Sequence, residues 1–302
     1  MAAQGNSLKA ILYALGANFA IFIAKLVSAV ITSSGAMMAE AVHSLADCGN
    51  QVLLLYGLKH AGRPVTKEFP LGQGKAIYFW SFVVALLLFG VGGGFSIYEG
   101  LHKLAHPEPL KLPWIAVGVL TFSIIAEAVS MAACLKEVNL ARGNMNLFRW
   151  FRTSRQTELI VIFGEDLAAL FGLVLAQFAI LATIFTGDPT WDAYGSISIG
   201  LLLMVVAVFV GNQIKSMLIG RSVEPALQDA IEVFLNERPE IARVFSAICV
   251  QLGPDIAVSI KAEMTERVDA MKLIADTNRV EYEIKQRFPQ IRWSFFEPDI
   301  ED

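Results

Sequence analysis

The chain has 302 residues, 55% of them hydrophobic and 17% charged, with a formal net charge of -4. So apolar a composition excludes an ordinary soluble domain and points to a protein that crosses a membrane several times. The acidic balance argues against a nucleic-acid partner, which calls for basic patches, and three well-separated cysteines (Cys48, Cys134 and Cys249) argue against a Cys-rich metal site or a disulfide framework.

In chain order, MAAQGNSLKA runs directly into an apolar stretch, with no basic segment followed by a cleavage site, so no cleaved signal is expected. Six segments long enough to cross a bilayer follow, at 8–32, 34–60, 76–101, 113–135, 157–185 and 191–219. Basic residues gather in the second connection (Arg63, Lys67, Lys75), in the fourth (Lys136, Arg142, Arg149, Arg152, Arg155) and after the last span (Lys215, Arg221). The fifth connection, TGDPTWDA, has none. This asymmetry places both termini in the cytoplasm. With no transit peptide in view, a bacterial plasma (inner) membrane is preferred to an organelle.

From Ser222 the pattern becomes that of a soluble domain. A helix is expected over 225–236, with Pro225 in its first turn. Strands follow over 244–252 and 256–263, joined by the turn signal Gly253-Pro254-Asp255. Leu273, Thr277, Val280, Ile284 and Phe288 mark one face of a long helix, and a last strand covers 291–297. The expected fold class is an α-helical membrane bundle of six transmembrane helices (1–221) followed by a small cytoplasmic α+β domain of order α-β-β-α-β (222–302).

The second segment carries Glu40, His43, Asp47, Asn50 and Gln51 among Ala, Val, Leu and Met. A charge at the bilayer centre costs roughly 2.5–3.5 kcal/mol even on a lenient scale, so such residues mark function. His43 and Asp47 are at i,i+4 and share a helix face about 5–6 Å apart. An imidazole beside a carboxylate is half of a divalent-metal site. The fifth segment supplies Glu165 and Asp166, the latter well inside FGEDLAALFGLVLAQ. Together these make three or four N/O ligands, the number and type of a tetrahedral zinc site. All compete with protons for the metal. Asn50 and Gln51 serve either as donors orienting the ligands or as interhelical hydrogen bonds. Glu40 belongs with them. Glu127 is either a proton relay or the partner of Lys25. Gly90, Gly92, Gly93 and Gly94 read as close helix packing.

SSGAMMAEAVHSLADCGNQ (33–51), the GKA at 74–76 and the C-terminal α+β pattern resemble the cation diffusion facilitators, over nearly the whole chain. The HSxxDxxNQ pattern and the Glu165-Asp166 pair are most similar to the branch of the ninth animal zinc transporter. The resemblance implies a dimeric, proton-coupled exporter of zinc or related divalent metals, with ligands at His43 and Asp47 in the second span and Asp166 in the fifth. The family's fifth-span motif, His-x-x-x-Asp, places its histidine at Ile162 here, so Glu165 or water would replace that ligand. The loop TKEFPLGQGK lacks the histidine of a second site in relatives. All four histidines precede Pro107, so the usual cytoplasmic metal site is not expected either. Lys75 matches a lysine that in relatives pairs with an aspartate near the end of the last span; that position is Gly220 here, and Glu224 is the substitute partner.

The expected function is a proton-coupled antiporter exporting a divalent cation from the cytoplasm. Zinc is favoured by the imidazole, and manganese or iron if Glu165 binds. The ion is cargo, and no permanent cofactor is expected. Partners are a second copy, protons and the lipid bilayer. No nucleophile–base pair or phosphate loop argues for an enzyme. The alternative is a non-transporting scaffold or partner subunit, motivated by the three missing histidine features.

Overall fold

The computed structural model describes residues 2–266 and 268–301, with side chains described except at 2–14 and 17. Met1 and the side chains on which the expectation of no cleaved signal rests lie outside the described residues. The chain divides into two compact units. The first comprises the chain up to Tyr56, Trp80–Asn146 and Thr157–Gln213; the second comprises Gly57–Phe79, Leu147–Gln156 and the chain from Ile214 onward.

The first unit is helical. Its elements are α1 (Ala2–Thr32), α2 (Gly35–Ala61), α3 (Ala76–Leu87), a π-helical stretch Leu88–Gly94, α4 (Phe95–Ala105), α5 (Pro113–Arg142), α7 (Thr157–Thr186) and α8 (Thr190–Ile219). The ends of α2, α3 and α8 run on into the second unit. Ala76–Ala105, α5, α7 and α8 are each 30 residues and apolar enough to cross a membrane. At 1.5 Å per residue each is about 45 Å long, against a hydrocarbon core of about 30 Å. The protein is therefore an integral membrane protein with four such helices among the described residues. The apolar stretch described in α1, Asn18–Thr32, is shorter. In α2 the same polar residues that attract attention also dilute its hydropathy.

Residues 29, 36, 37, 39, 88, 116, 120, 168, 173, 176, 180, 199, 203 and 207 form the core of this unit, and half of them are alanine. Small residues let helices approach closely where no hydrophobic drive exists between them. Gly93 shows the consequence: a Cβ there would sit 2.6 Å from Met204 Cγ on α8. A Cβ at Gly90 would meet open space instead. The glycines also weaken the α-helical ladder, which accounts for the π-helical stretch at LFGVGGG.

In the second unit, the C-terminal segment folds as α9 (Pro225–Asn236), β1 (Ile241–Leu252), β2 (Asp255–Met264), α10 (Ala270–Arg287) and β3 (Ile291–Pro298). The sheet order is β1-β2-β3, antiparallel then parallel. The parallel pair requires a crossover, which α10 supplies. Alternation in β2 buries Ile256, Val258, Ile260, Ala262 and Met264 against Ile231, Leu235, Val280 and Ile284. Asp269 caps α10, accepting from the Met271 and Lys272 N–H groups. Gly253, at φ +73, provides the left-handed residue of the two-residue β1–β2 turn. The order matches the sequence expectation. A short helix, α6 (Leu147–Thr153), was not foreseen; Trp150 and Phe151 are buried from it.

Candidate metal site in the helical unit

The start of α2 is fixed by two caps. Ser34 Oγ accepts from the Met37 N–H at 3.1 Å. Asp192, in the first turn of α8, accepts from Ser34 Oγ at 2.5 Å, from the Gly35 N–H at 2.6 Å and from the Ala36 N–H at 3.3 Å. A carboxylate there also meets the positive end of the helix dipole. Lys103 Nζ donates to the Ser33 carbonyl beside it.

From that anchor, helical periodicity places Glu40, His43, Ser44, Asp47 and Asn50 in one stripe. Glu40, His43 and Asn50 are wholly buried. His43 Nδ1 lies 3.6 Å from Asp47 Oδ1, too long for a hydrogen bond. Neither His43 ring nitrogen has a hydrogen-bond partner, nor does Asp47 Oδ1. Buried polar atoms are bonded in the great majority of cases. One nitrogen of a neutral imidazole offers a lone pair, and so does the carboxylate oxygen beside it.

Two contacts bring α7 to this stripe. Asn50 Nδ2 donates to Glu165 Oε1 at 2.6 Å. A Cβ at Gly172 would lie 2.5 Å from Glu40 Oε1, so only glycine lets α7 pass there. α7 is a regular helix through Glu165 and Asp166, and the two carboxylates leave it in different directions. Glu165 turns to α2, while Asp166 turns toward α5, where Ser130 Oγ donates to Asp166 Oδ2 at 3.4 Å. The structure thus brings His43 and Asp47 together and sets Glu165 against the same stripe. Among the described residues, no three His, Cys, Asp or Glu side chains converge to enclose an ion.

Lys25 of α1 donates to Glu40 Oε2 at 3.1 Å and to Ser44 Oγ at 2.8 Å. Of the two readings of Glu127, partnership with Lys25 is thus not the arrangement adopted. Gln51 is half-buried, and its Oε1 has no partner. Ile162, where relatives of the resemblance carry histidine, is 40% exposed.

In the second unit, a Cβ at Gly220 would lie 3.8 Å from Lys75 Nζ, so the lysine does stand beside that position. Gly220 has φ +119, a backbone region other residues rarely enter. Among the described residues, Lys75 and Glu224 make no ion pair. The Glu224 charge instead acts on Arg155, whose guanidinium is pushed down to about 10 chiefly by burial and then by Arg221.

Sequence reasoning missed Ser44, Ser130 and Asp192. Ser44 carried a signal, since it is at i+4 from Glu40. Asp192 lies at the start of an apolar segment, where a carboxylate reads as a boundary residue; its partner 158 positions away is visible only in three dimensions.

The model of the cation efflux transmembrane domain matches residues 11–219. The chain is similar to the proton-coupled zinc antiporter SLC30A9, mitochondrial, of Xenopus laevis, 31% identical over 85% of this chain and 46% of that protein. It is similar to metal tolerance protein C4 of Arabidopsis thaliana, 30% identical over 86% of this chain and 57% of that protein. It is more distantly similar to the cation-efflux pump FieF of Yersinia enterocolitica, 21% identical over 85% of this chain and 81% of that protein. The chain spans about half the length of the first two relatives. By its match over most of the helical unit, the chain belongs to the cation efflux family.

Proposed function

We propose that the protein is a proton-coupled exchanger of a divalent cation, zinc before manganese or iron. In this reading six helices cross the bilayer (α1, α2, Ala76–Ala105, α5, α7 and α8) and both termini face the cytoplasm. Residues 222–302 form a cytoplasmic domain, and two copies associate. His43 and Asp47 hold the ion from α2, with Asp166, and secondarily Glu165, reaching it from α7. Asn50, Gln51, Glu40 and Glu127 supply the surrounding hydrogen bonds and proton paths.

The observation that carries this reading is the wholly buried His43, both nitrogens bare, beside a bare Asp47 oxygen on a stripe that meets α7 through Asn50 and Glu165. Zinc needs deprotonated ligands, so loading the site releases protons and protonating it releases the ion. That competition is the whole of the coupling. In this reading Asp166 turns from Ser130 to close a tetrahedral set, with α7 shifting against α2 as in alternating access. Two of the relatives are named for cation efflux or proton-coupled zinc antiport.

The test is metal-dependent proton flux in proteoliposomes holding the wild type or Asp47→Ala. Zinc should drive flux in the wild type, and the variant should fall to the level of empty liposomes. The scaffold reading is favoured by Ile162 standing in the histidine position; absence of flux with zinc, manganese, iron(II) and cobalt from folded protein would sink the exchanger reading and promote the scaffold.

A further inference from the structure

The Lys25 ammonium lies 3% exposed, between α1 and α2, in a cradle of two oxygens: Glu40 Oε2 at 3.1 Å and Ser44 Oγ at 2.8 Å. Glu40 is wholly buried, and its second oxygen, Oε1, has no hydrogen-bond partner. It points at Gly172 on α7, where a side chain would collide with it. One buried carboxylate, with an oxygen still unused, and one hydroxyl are hard oxygen ligands of the kind a divalent cation takes. Here a cation is already present, and it belongs to the chain.

The position of this cradle matters as much as its chemistry. Glu40 precedes His43 by one turn, on the side of the α1–α2 connection, and Ser44 follows His43 directly. The Lys25 charge lies within electrostatic reach of both His43 and Asp47. An ion moving along α2 from His43 and Asp47 toward the α1–α2 connection meets Glu40 next. It cannot use that carboxylate while Lys25 holds it.

We propose that Glu40 and Ser44 form a second cation position on the path, and that Lys25 is the tethered cation that occupies it when cargo is absent. Resting on the exchanger reading above, this assigns Lys25 as a gate and positioning residue. A departing divalent ion displaces the ammonium from Glu40, and the ammonium returns once the ion has gone. A buried carboxylate left empty is costly, so a tethered occupant keeps the path closed without a second ion.

The test is calorimetric zinc titration of the detergent-solubilised protein, with Lys25→Met, Lys25→Met/Glu40→Gln, Lys25→Arg and Asp47→Ala alongside. Lys25→Met should bind one equivalent of zinc more per protomer than the wild type. The double variant should return to the wild-type count, and Lys25→Arg, which keeps the cation, should never leave it. An unchanged count in Lys25→Met overturns the proposal. If Lys25→Met does not fold, Lys25→Ser, which leaves room for water at Glu40, carries the same reading with the same outcomes. Zinc binding equal in wild type and Asp47→Ala would sink the ligand set proposed for transport, while the Glu40 position would still be read from the Lys25→Met arm.

Discussion

The helical unit and the small αββαβ domain bury polar groups in opposite ways. In the domain, Glu240 is the buried acid, and it accepts from Arg238 at 3.3 Å and Arg279 at 3.2 Å. Burial pushes its carboxyl up, but a backbone hydrogen bond first, and then the Arg238 bond and charge and the Arg279 bond, outweigh burial and hold it below its usual range. Among the described residues of 222–302, no buried side-chain oxygen or nitrogen lacks a partner. The helical unit instead leaves atoms of Glu40, His43, Asp47, Asn50 and Gln51 bare along one stripe. A fold gains nothing in stability from bare buried acceptors. The contrast separates polar residues that hold the structure from those held in place by it.

The largest effect on stability should come from the residue that holds the stripe in register. Asp192 satisfies three donors at the start of α2, with both residues of its hydroxyl bond buried. Asp192→Ala leaves them without a charged acceptor, a cost of roughly 3–5 kcal/mol on the scale of such bonds. Thermal denaturation of the solubilised protein should show a clear fall in Tm. Hydrogen exchange should rise first at Gly35 and Ala36. An unchanged Tm would mean that α2 is held by packing alone, and the contrast between the two regions would lose its anchor.

Much of this was legible in the sequence, and the reasons differ by region. The order α-β-β-α-β follows from periodicity, because Val258, Ile260 and Ala262 alternate and Val280 and Ile284 recur at helical spacing. The His43–Asp47 pair followed from i,i+4 spacing alone. What could not be read is what depends on the rotation of one helix against another: Lys25 choosing Glu40, Glu165 and Asp166 parting to different neighbours, and Asp192 reaching Ser34. Local spacing carries no information about those angles. α6 was hidden for another reason, since seven residues are too few to show a period.

A smaller effect tests how the GKA segment is tied within the second unit. A Cβ at Gly74 would collide with the Leu252 carbonyl oxygen, a backbone atom that cannot swing aside. Tyr78 Oη accepts from the Gly253 N–H at 2.9 Å and donates to the Gly253 carbonyl at 3.3 Å. Gly74→Ala should therefore cost about 1–3 kcal/mol, as overpacking does, and should loosen the β1–β2 turn. Hydrogen exchange at Gly253 is the direct measurement. The turn belongs to the second unit and the polar stripe to the first, so zinc binding should be unchanged. A loss of zinc binding in this variant would mean that the two ways of using polar groups are coupled.

The smallest effect lies at the surface of the domain, where the sign of a pH dependence can be worked out. Glu266 accepts from Lys272 Nζ at 2.7 Å and from the N–H groups of Val268 and Asp269 at 3.1 and 3.3 Å. The Lys272 bond first, and then the backbone donors, pull its carboxyl down to about 2. An unfolded glutamate titrates near 4.3. The folded state therefore binds fewer protons than the unfolded state between these values. Its contribution is fully present above about 4.3, where both states are ionised. It is lost as pH falls toward about 2. Glu266→Gln should lower the domain's stability at neutral pH by the small amount an exposed pair contributes, and should flatten the acid limb below pH ~4 by that same amount. Urea titrations monitored at the tryptophan of β3, Trp293, would read it. An acid limb equally steep in the variant would assign that slope to the other carboxylates of the domain held low, Glu240 and Asp299, and Glu240→Gln would then separate the buried acid from Asp299.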